Sequence, residues 1–200
     1  ADDGDGLLLG EHLSAAGVEV LRPSVASSTS TAFARIGPDG QATYEFTLSW
    51  DISGSDDVTI PAALHIGSFA ATERPGCDEV LALAQRADGL VTYDINCRPA
   101  VMGSPTDVLP RIEGLVALCD VVKLSDEDAQ WLYNSRYDAR CTDDQGALFD
   151  HLHELGAPLV VLTTGADGCV ASTGTERFAV PAARGGPVVD TVGAGDAFMA

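Results

Sequence analysis

The chain has 200 residues, 46% of them apolar and 20% charged, which suits one sizeable buried core and is not the composition of a disordered chain. Its 30 acidic and 11 basic residues give a formal net charge of −19, which argues against a surface that binds nucleic acid or anionic lipid. No apolar run approaches the roughly 18 residues of a membrane-spanning helix, and the first residues lack the basic and apolar regions of a secretory signal. The five cysteines lie far apart without a CxxC pair, so we expect a reducing cytoplasm rather than a disulfide framework or a zinc site.

The first part of the chain predicts a helix, a short strand and a β-hairpin. Residues 7–16 carry apolar side chains at helical spacing before a glycine stop, and residues 18–21 predict a short strand. Residues 32–36 and 42–48 are joined by a Gly-Pro-Asp-Gly turn, and apolar and polar residues alternate in the second segment. Residues 28–50 therefore predict a hairpin or small sheet that is distinct from the remainder of the chain.

From about residue 60 onward, strands and helices alternate. Continuous apolar strands separated by helices are typical of a mainly parallel sheet that is covered on both faces. The predicted strands are residues 63–69, 90–95, 121–124 and 159–163, and the predicted helices are residues 75–87, 106–118, 125–133 and 143–155. Residues 169–172 and 178–180 predict a further β excursion. The sequence therefore predicts an α/β fold.

The strongest chemical signal is the segment Asp190-Thr191-Val192-Gly193-Ala194-Gly195-Asp196. Two glycines around one alanine let the backbone turn tightly and direct its N–H groups to one point, and at a helix N-terminus such groups bind anions. A carboxylate such as Asp196 repels phosphate, but it can accept a proton from a hydroxyl that attacks a phosphoryl group in line. The alternative is a structural turn with an aspartate near a helix start. The sequence contains neither a Walker A loop nor a GxGxxG pattern.

This segment resembles the C-terminal signature of the PfkB, or ribokinase-like, carbohydrate kinases at every fixed position. Further stretches match the family in the same order. Residues 94–99 resemble the D-x-N-x-R-P segment of bacterial fructokinases, residues 123–128 the segment with the N-x-x-E motif, residues 162–168 the nucleotide-binding turn, and residues 30–48 the small β lid over the sugar. The resemblance covers nearly the whole chain. It implies a ribokinase-like three-layer sandwich around a mainly parallel sheet, with a small β lid.

The resemblance also implies the catalytic residues. Asp196 would be the base that deprotonates the sugar hydroxyl. The N–H groups of Gly193, Ala194 and Gly195 would form the anion hole for the charge that develops on the transferred phosphoryl group.

The remaining site residues are likewise implied by the resemblance. Asn96 and Arg98 would bind the substrate beside Asp196. Asp190 and the backbone of Val192 match positions that hold a monovalent cation such as K⁺ in some family members. The residues expected to bind ATP and its Mg²⁺ are Thr163, Gly165, Ala166, Asp167, Gly168, Ser125 and Asp128.

Several of these assignments have a structural alternative. Ser125 and Asp128 stand where the family has Asn and Glu, and they also form the pattern of a helix capping box, so altered metal handling, capping or both are expected. Asn96 and Arg98 lie at a strand end, where open α/β sheets bind ligands, and the alternative is a solvent-exposed turn. The position of Lys123 within the preceding strand argues against a role as a phosphate ligand.

The expected function is ATP-dependent phosphoryl transfer to a hydroxyl of a small sugar, and the D-x-N-x-R-P and Ser-x-x-Asp features favour fructose. The alternatives are a 2-keto-3-deoxygluconate kinase, a nucleoside kinase of the same superfamily, and a non-catalytic sugar- or nucleotide-binding protein. Family members begin with a strand and a Gly-Gly segment that hold the sugar, and they continue beyond the signature, so we expect residues 1–200 to be part of a longer kinase domain. Lid sheets in this family often pair between subunits, which makes a homodimer through the hairpin a further expectation.

Overall fold

The computed structural model describes residues 1–21, 28–36, 42–55, 58–60, 62–133, 142–183, 186 and 193–200. Its helices are Gly4–Ala15 (α1), Gly76–Arg86 (α2), Pro99–Met102 (α3), Pro105–Val116 (α4), Asp126–Leu132 (α5), Thr142–Leu155 (α6) and Ala194–Met199 (α7). Its strands are Thr31–Ile36 (β1), Ala42–Thr47 (β2), Ala63–Gly67 (β3), Leu90–Asp94 (β4), Val121–Ser125 (β5), Leu159–Thr163 (β6), Cys169–Ser172 (β7) and Arg177–Val180 (β8). Short 3₁₀ turns follow β3 and β6, at Ser68–Ala71 and Gly165–Asp167.

Strands β3 to β8 form one sheet in sequence order, which we call the main sheet. Strands β3, β4, β5 and β6 pair in parallel, because the helices between them return the chain to the same end of the sheet. Strands β7 and β8 extend the sheet beyond β6 as antiparallel neighbours. The expected α/β fold around a mainly parallel sheet is confirmed.

One face of the main sheet packs against the helices, and we call it the covered face. Alternate residues of each strand point to it, as the pleat of a strand requires. They join the apolar side chains of α2, α4, α5 and α6 in one continuous core. The strand residues of this core that are completely buried are Tyr93, Val122, Leu124, Val160 and Leu162.

The other strand residues point to the opposite face, which we call the open face. His65, Thr92, Asp94, Lys123 and Val161 lie on it, on four adjacent strands. On the open face His65 is exposed and Thr92 is half-buried, while Asp94, Lys123 and Val161 are buried. Ile66 and Tyr93, on the covered face, are buried as well. The open face therefore carries polar groups next to apolar ones, and the covered face carries the core.

Strands β1 and β2 form a separate two-stranded antiparallel sheet, in which Thr31 lies opposite Thr47. The predicted hairpin is confirmed, while its Gly-Pro-Asp-Gly turn lies outside the described residues. The Ser30 hydroxyl joins the two strand ends, since it donates to the carbonyl oxygen of Ser49 and accepts from the Ser49 N–H, both at 2.9 Å. Phe33 is 64% exposed, so the hairpin presents an aromatic side chain to solvent.

Two local expectations are wrong, and one helix was not expected. Residues 18–21 are exposed and form no strand, because among the described residues no strand pairs with them. The strand expected over 63–69 ends at Gly67, because Ser68, with a φ of 53°, turns the chain into the 3₁₀ turn. Helix α3 was not expected, and Pro99 at its first position favours its start.

Helix α1 begins at Gly4, three residues before the expected start at residue 7. The reason is Asp3, whose Oδ1 accepts the N–H of Gly6 at 2.8 Å and so caps the helix. Gly17 ends the helix as expected, with a φ of 77° that glycine adopts without strain. None of the described helices is both long and apolar enough to cross a membrane.

Candidate active site

The C-terminal ends of the parallel strands bring the predicted site segments to one edge of the main sheet. Strand β4 ends at Asp94, β5 at Ser125 and β6 at Thr163. In the register of the sheet, Asp94 lies beside Lys123, and Ser125 lies beside Thr163. Open α/β sheets bind ligands at this edge, so the predicted substrate and nucleotide segments lie where the fold favours a site.

The turn that carries the predicted base is formed by Gly193 and the first residues of α7. Gly193 has φ 74° and ψ 5°, a left-handed conformation that glycine adopts readily and other residues adopt at a cost. Its carbonyl oxygen accepts the N–H of Ala197 at 2.9 Å, which is the first hydrogen bond of the helix. The N–H groups of Ala194, Gly195 and Asp196 precede that bond, so the helix itself gives them no partner. The side chain of Asp196 is exposed beside them.

The segment after β4 forms a tight turn that presents Arg98. Asn96 has a φ of 41°, and its carbonyl oxygen accepts the hydroxyl of Ser68 at 2.9 Å. The N–H of Cys97 donates to Oδ1 of Asp128 at 2.7 Å. Arg98 is exposed, and its Nη1 donates to the carbonyl oxygen of Cys97 at 2.9 Å. Among the described residues this is the guanidinium's one hydrogen bond, so most of its donors can serve a ligand.

A cavity of about 450 Å³ lies between this turn and the hairpin. Arg98 and Ser68 line it from the main sheet, and Phe46 lines it from β2. A volume of this size, apolar with few polar groups, is usual for small-molecule sites. The prediction that Arg98 binds a substrate remains untested, but the side chain does lie on a cavity.

Ser125 and Asp128 form a capping box at the start of α5. The Ser125 hydroxyl accepts the N–H of Asp128 at 3.0 Å, and Oδ2 of Asp128 accepts the N–H of Ser125 at 2.8 Å. The other oxygen of Asp128 accepts the N–H of Cys97, and the residue is 6% exposed. Both carboxylate oxygens are therefore engaged by backbone groups, so capping is the role that the geometry supports most directly.

The predicted nucleotide turn follows β6 at the same edge. Thr164 donates to the carbonyl oxygen of Gly168 through its backbone N–H at 2.9 Å and through its hydroxyl at 3.1 Å, which closes the turn. Gly165, Ala166 and Asp167 are exposed. A side chain on Gly168 would meet the backbone of β8, whereas the space beside Gly165 is empty. The turn is thus fixed at one end and open to solvent at the other.

A buried ion pair beside these segments was not assigned to the site from the sequence. Lys123 Nζ lies 3.0 Å from Oδ1 and 3.2 Å from Oδ2 of Asp94, and the two side chains are 5% and 4% exposed. Burial raises the pKa of the Asp94 carboxyl, and the Lys123 ammonium opposes that shift. A Cβ atom added to Gly195 would lie 3.3 Å from Lys123 Nζ, so the pair lies directly against the turn of α7.

Several predicted residues are brought together and others fall outside the described part of the chain. Gly195 lies against the ends of β4 and β5. Ser125 is the last residue of β5, Asp128 lies in the first turn of α5, and Arg98 lies in the turn after β4. Asp190 and Val192, the predicted cation residues, lie outside the described residues. Within the described residues, no three acidic, histidine or cysteine side chains gather as a metal-binding cluster.

Comparison with known proteins identifies the family of the chain. The family model described as "pfkB family carbohydrate kinase" matches residues 2–200, and the chain belongs to this family. A fructokinase of Rhizobium leguminosarum bv. trifolii is 35% identical over 210 residues, an alignment that covers 100% of this chain and 62% of the relative. The chain thus spans about three fifths of the length of this curated relative.

Two crystal structures have a fold similar to that of this chain. One is an aminoimidazole riboside kinase from Salmonella enterica, complexed with aminoimidazole riboside and an ATP analogue. It has a TM-score of 0.75 at 27% identity, and the aligned region covers 100% of this chain and 66% of that kinase. The other is a fructokinase double mutant from Vibrio cholerae O395 in a fructose-, ADP- and potassium-bound form. It has a TM-score of 0.75 at 25% identity, and the aligned region covers 100% of this chain and 65% of that fructokinase. The expected ribokinase-like fold is confirmed.

Proposed function

We propose that the protein transfers a phosphoryl group from ATP to a hydroxyl of a small sugar, with fructose as the favoured substrate. The observation that carries this proposal is the turn of α7, where the exposed carboxylate of Asp196 lies beside backbone N–H groups that the helix leaves without partners. A binding protein gains nothing from a carboxylate beside a phosphate site, because like charges repel. A kinase needs that carboxylate as a base.

In this proposal Asp196 accepts the proton of the attacking sugar hydroxyl. The N–H groups of Gly193, Ala194 and Gly195 act as the anion hole for the charge on the transferred group. In other enzymes, preorganised donors of this kind contribute roughly 3–4 kcal/mol each, as measured by their removal. Such local donors are needed here, because the net charge of −19 repels a nucleotide at longer range.

The ATP would lie along the turn after β6, on Thr163, Gly165, Ala166, Asp167 and Gly168. The support is that this turn is exposed at the ligand-binding edge and that the space beside Gly165 is empty. A nucleotide could therefore approach the backbone closely.

Magnesium fits this chain as an ion held mainly by the nucleotide. Asp128 has both oxygens engaged by backbone N–H groups, and the described residues contain no cluster of metal ligands. Mg²⁺ commonly keeps several waters and binds through phosphates with one or two carboxylates. Ser125 and Asp128 would then contact water bound to Mg²⁺ while they cap α5. The ion would neutralise phosphate charge during transfer.

The sugar would bind in the cavity between Arg98 and the hairpin, with Asn96 and Arg98 beside Asp196. The support is the exposed guanidinium on a cavity of about 450 Å³. For the monovalent cation we keep Asp190 and the backbone of Val192 as proposed ligands, supported by the potassium-bound fructokinase. Asp190 and Val192 lie outside the described residues.

A second candidate is a riboside kinase, favoured by the likeness to the aminoimidazole riboside kinase. The two candidates are separated by a panel of acceptors with ATP and Mg²⁺, measured as ADP release by the intact protein. The panel contains fructose, 2-keto-3-deoxygluconate, ribose, adenosine and aminoimidazole riboside. We expect the highest kcat/KM with fructose. A higher value with a riboside would replace fructose by that substrate, and ADP release with none of the five would contradict the proposal.

We further propose that residues 28–50 form a lid and that two copies of the protein contact each other through this lid. We also propose that the protein acts in the cytoplasm. The support for the contact is the exposure of Phe33 on the hairpin, at 64%. Light scattering after size exclusion should give a dimer for the intact protein and a monomer for Phe33→Asp. A dimer in both would exclude this contact.

A further inference from the structure

The ion pair of Asp94 and Lys123 is the best-defined charged contact on the open face. The register of β4 and β5 sets the two residues directly beside each other at the C-terminal ends of the strands. The ammonium contacts both carboxylate oxygens, at 3.0 and 3.2 Å, and neither side chain is more than 5% exposed. Within the described part of the chain, both hydrogen bonds of this ammonium go to Asp94.

The pair lies immediately beneath the turn that bears Asp196. A Cβ atom on Gly195 would lie 3.3 Å from Lys123 Nζ and 3.9 Å from Asp94 Oδ2, so the ammonium is the nearer of the two charges. The first of these separations is tighter than ordinary side-chain contact. Glycine at position 195 therefore lets the backbone of the turn approach the ammonium closely.

Stability alone is a poor explanation for this pair. Taking two charges out of water costs about as much as their attraction returns, and well-packed apolar residues often serve equally well at such positions. Lys123 is also the only lysine of a chain with 30 acidic residues. Because this buried cation lies against the proposed phosphoryl-transfer turn, it can hold the turn in place.

Resting on the proposed kinase function, we propose that Lys123 and Asp94 are positioning residues for phosphoryl transfer. Asp94 orients the Lys123 ammonium, and the ammonium supports Gly195 from below, so that the adjacent N–H groups and the Asp196 carboxylate hold their places relative to the reacting atoms. Neither side chain needs to touch the substrate. The positive charge of the Lys123 ammonium, close to Gly195, also favours negative charge at the turn by simple Coulomb attraction.

The test uses Lys123→Met, Asp94→Asn and the double variant of the intact protein. Each single variant leaves one buried group without its partner and should melt earlier than the parent. The double variant removes both charges together, so its melting temperature should return towards that of the parent. Its kcat should nevertheless stay about 10- to 100-fold low, because a displacement near 1 Å costs that much. Its KM for the sugar should change less than about threefold.

The control is the more exposed ion pair of Arg111 and Asp78, whose side chains lie 2.7 Å apart and join α4 to α2, remote from the open face. The double variant Asp78→Asn with Arg111→Met should keep the parental kcat. A parental kcat in the Asp94→Asn, Lys123→Met double variant would overturn the inference. A parent that phosphorylates none of the acceptors would instead contradict the proposed function, which is a separate outcome.

A second measurement decides the matter if the double variant does not fold. Lysine labelled with ¹³C at Cε gives a signal for Lys123, identified by its absence in Lys123→Met. We expect this signal to shift when sugar and a non-hydrolysable ATP analogue are added together. A signal unchanged under saturating ligands would overturn the inference, because the ammonium would then not sense the turn.

Discussion

The two faces of the main sheet are built from the same strands, yet they hold different kinds of side chain. On the covered face, Tyr93, Val122 and Leu124 are completely buried in the core that the helices share. On the open face, their immediate neighbours Asp94 and Lys123 form an ion pair against α7. Because successive residues of a strand point to opposite sides, one segment can serve the core and the site at once.

This division indicates where effects on stability and effects on activity can be separated. A substitution on the covered face should lower the free energy of unfolding, and activity should fall only as the folded fraction falls. A substitution at the site edge should lower turnover in a protein that melts like its parent. Four experiments, in order of decreasing effect, can confirm or refute the division.

The greatest effect is expected on turnover, in Asp196→Asn. Asparagine keeps the shape of the side chain but cannot accept the hydroxyl proton, so kcat should fall about 10²- to 10⁴-fold. Asp196 is exposed, so the melting temperature and the affinity for ATP should stay close to those of the parent. Coupled ADP release and calorimetric titration measure the two quantities. Glu176→Gln, an exposed carboxylate in the turn between β7 and β8, is the control; an unchanged kcat in Asp196→Asn would reject the base assignment.

The next effect is on stability, in Leu124→Ala. This side chain is completely buried on the covered face, and its truncation leaves a cavity that should cost about 2–5 kcal/mol of the free energy of unfolding. Leu90→Ala is the matched control, since Leu90 is a strand leucine on the open face with 47% exposure. Its cost should stay below about 1 kcal/mol. Equal losses in denaturant melts of the two variants would show that the two faces do not differ as described.

A smaller effect is expected at the proposed substrate cavity, in Arg98→Ala. Loss of the guanidinium should raise the sugar KM or lower kcat by about tenfold, because a hydrogen bond to a charged group contributes roughly 1.5–3 kcal/mol. The melting temperature should change little, since Arg98 is exposed. Arg74→Ala, an exposed arginine paired with Asp78 at 3.0 Å, should leave both kinetic constants unchanged. If Arg98→Ala kept the parental kinetic constants, the segment after β4 would be a solvent-exposed turn rather than part of the substrate site.

The mildest perturbation is chemical labelling, which should distinguish the faces without changing activity. Burial raises the pKa of the Cys119 thiol to about 12, and Cys119 belongs to the core of the covered face. Almost no reactive thiolate therefore exists at pH 8, and its fraction should grow about tenfold per pH unit towards pH 12. Cys169 pairs with Thr163 on the open face and is half-buried, so iodoacetamide should label it before Cys119. Peptide mapping that finds Cys119 labelled faster in the folded protein would contradict this contrast.

Much of the fold was predictable because its signals are local. The apolar run at 159–163 and the glycine-closed helices define strands and helices without any partner, and the hairpin is predicted by its alternation. The expected strand at 18–21 was wrong because a strand needs a neighbour, which a local pattern does not reveal. Helix α3 was missed because it spans four residues, too few for a periodic pattern.

The candidate site was predictable only where one segment carries the whole signal. The segment around Asp196 is such a case, since its glycines and carboxylate are adjacent in sequence. The second contact of Asp128, with the N–H of Cys97, joins the start of α5 to the loop after β4, and the contact of Lys123 with Asp94 depends on the register of two strands. Neither register nor loop contacts can be deduced from a single sequence, so these roles required the structure.

The position of Lys123 has a consequence for how β5 finds its place in the main sheet. If β5 turned over by a shift of one residue against β4, every side chain of the strand would change sides. Lys123 would then enter the core beside Tyr93, and its ammonium would lose Asp94 without gaining another partner or water, at a cost of several kcal/mol. The correct alignment satisfies the charge, and the shifted one leaves it without a partner. One lysine thus opposes a misaligned sheet during folding, and the same alignment brings the ends of β4 and β5 beneath α7.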